Sequence, residues 1–157
     1  MVLPLTELVR VVRRLRAKGK VIAFTNGCFD LLHAGHLDTL ERIKRRADLL
    51  IVGINSDASV RRLKGPGRPL VPARERARLI AALKPVDLVA IFAEPTPLRL
   101  IRAIRPDILA KGGDWKRGEI VGRELVESYG GKVLVVPYMK SHSTSRLLQR
   151  VRQSKSR

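Results

Sequence analysis

The 157-residue sequence predicts a doubly wound α/β domain, in which helices cover both faces of a five-stranded parallel sheet. Short apolar, β-branched runs alternate with amphipathic segments, and this alternation is typical of parallel strands joined by helices. The runs are almost continuously apolar, as strands are when both faces of their sheet are buried. The predicted strands are residues 21–25, 49–54, 86–92, 107–111 and 132–137.

Amphipathic segments separate these strands. Apolar residues at helical spacing mark the first two helices: Leu5, Leu8, Val12 and Leu15, then Leu37, Leu40 and Ile43. Further helices are predicted for residues 73–83, 96–104, 119–129 and 144–151. Residues 64–72, rich in glycine and proline, are predicted to form a mobile loop.

Length and composition indicate one domain over residues 1–150, with an amphipathic helix in 1–19, a core in 20–150 and a basic tail in 151–157. No apolar run approaches the length of a membrane span, and the N-terminal residues lack the apolar stretch of a signal peptide. The single cysteine, Cys28, cannot form an internal disulfide. We therefore expect a cytoplasmic protein with no membrane partner.

The charge is strongly positive, because 32 Lys and Arg stand against 14 Asp and Glu, a formal net charge of +18. Such a balance indicates an anionic partner, either nucleic acid or a small phosphorylated substrate. Aromatic residues make up only 4% of the chain, so few are available to stack on bases. The composition favours basic, solvated helix faces and a phosphorylated substrate over nucleic acid.

The stretch TNGCFDLLHAGH, residues 25–36, is the strongest candidate site. It leaves the first predicted strand at Thr25, turns at Asn26 and Gly27, and enters a helix near Ala34. In a Rossmann-like sheet, this junction of strand and helix is where phosphate binds. Gly27 permits a close approach of the backbone, and Gly35 leaves room for a ligand.

His33 and His36 lie three residues apart, so both rings can project from one side of the first helical turn. Two imidazoles beside a helix start are suited to hold a phosphate and the charge that develops during its transfer. A zinc site is the alternative, since Cys28, His33, His36 and His142 are all the cysteines and histidines of the chain. The sequence has no paired CxxC, and zinc would occupy the imidazoles, so we expect no protein-bound metal.

HAGH resembles the HxGH motif of the nucleotidyltransferase superfamily, which includes cytidylyltransferases and adenylyltransferases. Further blocks are similar to the adenylyltransferase domain that makes ADP-heptose from D-glycero-β-D-manno-heptose 1-phosphate. They are GINSDASVRRLKGPGRPLVPARERARLIAAL, VDLVAIF, ILAKGGDW and HSTSRLL, and the resemblance runs from Lys20 to Arg150. In many bacteria this domain is fused to a sugar kinase, and here we expect a free-standing form.

The resemblance implies transfer of AMP from ATP to the sugar phosphate, with Mg²⁺ assisting and pyrophosphate leaving. The product would supply a cell-envelope glycan of lipopolysaccharide type, and the family suggests a homodimer. A phosphate monoester has a second pKa of about 6 and is a dianion at neutral pH, so its attack needs no general base. That fits the lack of any evident Ser/His/Asp arrangement or carboxylate pair in the sequence.

Matching positions assign residue roles. The catalytic candidates are His33, His36 and Lys64. The candidates for binding nucleotide and phosphate are Thr25, Asn26, Gly27, Phe29, Gly35, Lys111, Gly112, Ser143, Thr144 and Ser145. The candidates for binding the acceptor are Asp30, Arg76, Asp114 and Trp115, with Arg74 and Arg78 as rivals of Arg76.

Structural roles are open for several of these residues. Asp30 could cap a turn, Trp115 could pack on a loop, and Lys64 could be an ordinary surface lysine. Asp57, which follows Ser56, could begin a helix or belong to the site. Within the superfamily the alternatives are a cytidylyltransferase acting on glycerol 3-phosphate or a similar polyol phosphate, and an FMN adenylyltransferase. Outside it, the alternative is a basic nucleic-acid-binding module.

Overall fold

The sheet has five parallel strands in the order β3-β2-β1-β4-β5. The computed structural model describes residues 1–113 and 115–137. The strands are β1 Ile22–Gly27, β2 Leu49–Asn55, β3 Leu88–Phe92, β4 Ile108–Gly112 and β5 Lys132–Val136. This arrangement confirms the predicted doubly wound, Rossmann-like sheet. The chain moves outward from β1 to β3 and then returns to the other side of β1, so the topological switch point lies between β1 and β4.

Helices cover both faces of the sheet, as predicted. They are α1 Leu5–Arg16, α2 Ala34–Lys44, α3 Asp57–Lys64, α4 Ala73–Ala81, α5 Leu98–Ile104 and α6 Arg123–Ser128, with a 3-10 turn at Arg117–Glu119. One apolar core packs α1, α5 and α6 against the sheet and contains Leu8, Ile101 and Val126. The other packs α2 and α4 against the opposite face and contains Leu40 and Ile80.

The N-terminal segment joins the edge of the sheet. Leu3 N–H donates to the Val89 carbonyl at 2.9 Å, and Val89 N–H donates to the Met1 carbonyl at 2.9 Å. Leu8 and Val12 of α1 are then buried in the core. None of the helices in the described ranges is long and apolar enough to cross a membrane. The proposed boundaries at residues 19, 150 and 151 stay predictions.

Several elements differ from prediction. β1 continues through Gly27 instead of turning at Asn26, because Asn26 and Gly27 still pair with Gly53 and Ile54 of β2. Helix α3 was not predicted as an element, since Ser59 and Val60 are its only buried residues and most of its surface is polar. It begins at Asp57, where the Ser56 hydroxyl accepts a hydrogen bond from Ser59 N–H at 3.2 Å.

The remaining differences concern helix ends. α4, α5 and α6 span fewer residues than the periodicity predicted, and α6 begins only after the 3-10 turn and Gly122. Helix boundaries depend on local capping, which apolar periodicity does not report. The predicted helix at 144–151 and the tail at 151–157 lie outside the described residues.

Candidate active site

The HAGH histidines lie at the carboxyl edge of the sheet, next to the switch point. β1 leads through residues 28–33 into α2 on one face, whereas β4 leads toward α6 on the other face. The chain therefore diverges on either side of β1 and β4, and this divergence creates the crevice in which doubly wound proteins bind ligands.

His33 and His36 form a compact pair at the start of α2. His33 is the N-cap residue, and the two rings stack with their centroids 3.8 Å apart and their planes 23° from parallel. The His33 backbone N–H donates a long hydrogen bond to Nδ1 of His36, at 3.4 Å. An imidazole that accepts at Nδ1 carries its proton on Nε2, so this contact leaves Nε2–H of His36 as a donor.

Burial, together with the nearby charge of His33, lowers the pKa of His36 to about 4. His36 is therefore neutral at physiological pH. Phe29 contributes to the apolar surroundings, because its ring lies 5.2 Å from the His36 ring. Phe29 itself has a left-handed backbone, with φ of 47°, in the turn that follows β1.

Lys111 joins the two strands of the switch point. From β4, its Nζ donates to the side-chain oxygen of Asn26 on β1 at 2.6 Å. Burial lowers the pKa of Lys111 to about 8. The ammonium group also lies 5.6 Å from the centroid of the exposed Trp115 ring. Asn26, Lys111 and Trp115, three of the predicted site residues, thus lie together.

The glycines allow close packing around this crevice. A Cβ atom at Gly112 would lie 2.8 Å from Cγ2 of Thr39, so glycine lets α2 approach β4. A Cβ atom at Gly27 would lie 3.0 Å from the Phe29 ring. Gly35 is buried in the first turn of α2, where its carbonyl accepts the Thr39 hydroxyl at 2.9 Å. Thr25 is buried within β1.

Asp30 ties the glycine- and proline-rich loop to the turn after β1. Its Oδ1 accepts hydrogen bonds from the backbone N–H groups of Leu70 and Val71, at 2.8 and 2.9 Å. Its Oδ2 lies 2.7 Å from Nη2 of Arg68. Asp30 is almost fully buried in this arrangement. The structure therefore gives the carboxylate a structural role, and its predicted contact with the acceptor stays a prediction.

Arg76 is fully buried, and its guanidinium is used within the protein. Nε donates to the Val71 carbonyl at 2.8 Å, Nη1 to the Cys28 carbonyl, and Nη2 to Oδ1 of Asp57 at 2.6 Å. These contacts join the loop, the turn after β1 and the start of α3. Arg76 therefore orients these segments, and its predicted contact with the acceptor phosphate stays a prediction.

The sequence did not settle the roles of two residues of this network. Arg68 was not singled out, and Asp57 was left open between a helix start and the site. In the structure Asp57 is the first residue of α3, and its carboxylate pairs with Arg76. The contacts depend on segments far apart in sequence, and only the mixed acidic and basic composition of residues 57–76 hinted at them.

Lys64 is the last residue of α3 and is exposed. Burial raises the pKa of the Cys28 thiol, while the positive charges of Lys64, Arg76 and Arg68 oppose that rise. The charges of these three cations thus act on the turn after β1. Asp114, His142, Ser143, Thr144 and Ser145 lie outside the described residues, so their predicted roles stay predictions.

The described ranges contain no group of three or more His, Cys, Asp or Glu side chains that could hold a metal ion. Asp30 and Asp57 are also engaged by arginines. The residues on either side of the crevice are instead imidazoles, a lysine and backbone amides. This set suits an anionic ligand better than a cation.

A parallel sheet with an imidazole pair and a lysine at its switch point has the architecture of a nucleotide-binding enzyme. The cytidylyltransferase-like family model matches residues 24–150, which include all of HAGH. The chain belongs to the cytidylyltransferase-like family and is a nucleotidyltransferase.

Curated relatives narrow the comparison. The bifunctional protein HldE of Trichlorobacter lovleyi is 54% identical over 144 residues, which cover 92% of this chain and 29% of that protein. HldE of Pelobacter propionicus is 55% identical over 144 residues, covering 92% of this chain and 30% of the relative. The chain thus spans less than a third of the length of these relatives.

Two solved structures share the fold. The lipopolysaccharide core biosynthesis protein from Thermoplasma volcanium superimposes with a TM-score of 0.62 at 29% identity, covering 76% of this chain and 97% of the other. A pantoate-beta-alanine ligase from Francisella tularensis superimposes with a TM-score of 0.66 at 17% identity, covering 87% of this chain and 66% of the ligase. At 17% identity, the similarity to the ligase shows only that the two proteins share a fold.

Proposed function

We propose that this protein transfers AMP from ATP to a sugar 1-phosphate, D-glycero-β-D-manno-heptose 1-phosphate, to give ADP-heptose and pyrophosphate. The observation that carries the proposal is the stacked His33–His36 pair at the start of α2, next to the switch point at which Lys111 of β4 contacts Asn26 of β1. The resemblance of the NSDASVRRLKG and KGGDW blocks to heptose adenylyltransferases supports the acceptor. The HldE relatives and the lipopolysaccharide core biosynthesis protein support the pathway.

The reaction is one in-line displacement. An oxygen of the sugar phosphate forms a bond to the α-phosphorus of ATP, and the bond from that phosphorus to the bridging oxygen of pyrophosphate breaks. The electron pair of that bond leaves with pyrophosphate. Because the attacking group is already a dianion, the protein supplies positioning and charge stabilisation rather than a base.

The chain's residues fit this task. Neutral His36 donates a hydrogen bond from Nε2 to a phosphate oxygen. A neutral donor stabilises that oxygen without bringing a charge into the buried site. Lys111, mostly protonated at pH 7, supplies positive charge from β4. Lys64, at the end of α3, provides a second cation whose charge acts on the turn after β1.

ATP enters as its magnesium complex, and the metal is thus part of the substrate. With the nearby carboxylates engaged by arginines, phosphate oxygens and water would hold the ion.

We further propose that Ser143, Thr144 and Ser145 bind the β and γ phosphates, and that Asp114 and Trp115 line the acceptor side. We also propose that the enzyme is a cytoplasmic homodimer. Donor choice among ATP, CTP and GTP separates this function from that of a cytidylyltransferase.

Substitution of the histidines tests the site. We expect His33→Ala and His36→Ala each to lower kcat for pyrophosphate release by about 10²- to 10³-fold, the usual effect of removing a donor to a transition-state oxygen. Glu41→Ala, an exposed change on the same helix, is the control and should retain activity. Circular dichroism establishes that each variant is folded. A folded double variant with wild-type turnover would contradict the proposal.

A further inference from the structure

A dianionic acceptor must approach the triphosphate of ATP, so the site needs a cation on the acceptor side. Like charges repel strongly in a partly desolvated crevice, and arginine is the residue best matched to phosphate. Arg76 was predicted for this task. Its guanidinium is fully buried and donates to Val71, Cys28 and Asp57, so its donors are already engaged within the protein.

Within the described part of the chain, Arg68 has a donor without a partner, Nε, which Arg76 lacks. Its side chain is only 19% exposed, and Nη2 lies 2.7 Å from Oδ2 of Asp30. Its Nε is buried and has no hydrogen-bond partner among the described residues. An unpartnered buried donor is costly, by about 1–3 kcal/mol. The guanidinium is therefore paired with Asp30 through Nη2, while Nε is left unsatisfied by the residues that the structure describes.

Arg68 lies beside the proposed catalytic turn. Asp30, its partner, follows Phe29 in the segment that leads from β1 to His33. The charges of Arg68 and Lys64 are both close enough to act on the thiol of Cys28, two residues before Asp30. Arginine and lysine from the loop and from α3 thus approach the same turn.

We propose that Arg68 binds the phosphate of the acceptor substrate, with Asp30 holding one edge of its guanidinium so that the other can pair with two phosphate oxygens. The ligand class is a phosphate monoester dianion, and the proposal rests on the adenylyl transfer proposed above. Two oxygens of one phosphate match the fork of a guanidinium.

Binding requires a small movement of the loop or side chain, because Nε is closed to solvent without ligand. The preceding residues allow it. Gly65 and Gly67 have left-handed backbones, with φ of 88° and 83°, and a Cβ atom at either would meet nothing within 4 Å. Asp30 then acts as a positioning residue, and its own contact with the sugar is not needed for this step.

Steady-state kinetics test the assignment. We expect Arg68→Ala to raise the KM for the sugar phosphate by about 10- to 100-fold, the factor for a lost hydrogen bond between charged groups. The KM for ATP should change less than about twofold, and Arg68→Lys should recover only part of the loss. Arg61→Ala, an exposed arginine of α3, is the matched control. An unchanged KM for the sugar phosphate, or equal rises for both substrates, would overturn the proposal.

A binding measurement separates this proposal from the reaction itself. The Arg68 Nε–Hε resonance is assigned in ¹⁵N spectra by its loss in Arg68→Lys, and the wild-type protein is titrated with inorganic phosphate. We expect this resonance to shift with phosphate and to shift less with the magnesium complex of ATP. If phosphate leaves it unmoved, Arg68 is a loop anchor only. If phosphate shifts the resonance but the protein gives no turnover with heptose phosphate, Arg68 binds phosphate as proposed and the acceptor is a different phosphate monoester.

Discussion

Neutral His36 is the residue that most constrains the chemistry. Burial and the charge of His33 hold its pKa near 4, so it cannot act as a permanent cation toward the triphosphate. It can donate a hydrogen bond from Nε2, because Nδ1 accepts from the His33 backbone. Positive charge toward the triphosphate must then come from lysine or arginine. Lys111, Lys64 and Arg68 are the residues to which we assign it.

We predict that His36 titrates with a midpoint near pH 4 in NMR spectra of the imidazole carbons. Because its pKa is lower in the folded protein than in the unfolded chain, the unfolded state binds more protons between about pH 6.5 and 4. The free energy of unfolding should therefore fall as the pH falls through this window.

Urea denaturation at pH 7 and pH 5 measures that change, and His36→Gln serves as the control because it removes the titrating group. The free energy of unfolding should decrease less between pH 7 and pH 5 in His36→Gln than in the wild type. A His36 midpoint near 6.5, or equal decreases in both proteins, would contradict the assigned environment.

Among the elements, the loop after α3 is held by side chains from elsewhere in the chain. Asp30 accepts from two of its amides, and Arg76 donates to the Val71 carbonyl. The second half of the loop is thereby attached to the turn that carries the histidine pair. A change in the loop should reach the site through these contacts.

The protection of the Leu70 and Val71 amides tests this attachment. We expect slow hydrogen exchange at both in the wild type and exchange about 10- to 100-fold faster in Asp30→Ala, because a charged acceptor is lost. Exchange at Val52 in the central sheet should change less, and Glu41→Ala should leave all three unchanged. Fast exchange of Leu70 and Val71 in the wild type would show that the hydrogen bonds do not persist in solution.

The sheet could be predicted because its five strands are short, apolar and separated by amphipathic segments. The position of HAGH followed from its place after the first strand. Of helix α3, only a start at Asp57 was considered from the sequence, because the helix buries little and its polar sequence shows no apolar stripe. The Asp30 and Arg76 contacts could not be predicted, since their partners lie 40 and 48 residues away and meet only through the packed sheet.

At the scale of the whole molecule, the charge of +18 exceeds what one nucleotide site requires. Much of it lies on exposed helix surfaces, including Arg10, Arg13 and Arg14 of α1 and Arg45 and Arg46 beyond α2. Such surfaces attract anions without selecting among them. The site, rather than the net charge, distinguishes an enzyme from a nucleic-acid-binding module.

Pyrophosphate release is the most direct test of the central claim that this site transfers a nucleotide to a sugar phosphate. The purified protein is assayed with Mg²⁺ and D-glycero-β-D-manno-heptose 1-phosphate, with ATP, CTP and GTP compared side by side and His36→Ala as the inactive control. We predict rapid release with ATP, little with CTP or GTP, and none above background without the sugar phosphate. No release with any of the three nucleotides, from a folded protein, would contradict the account.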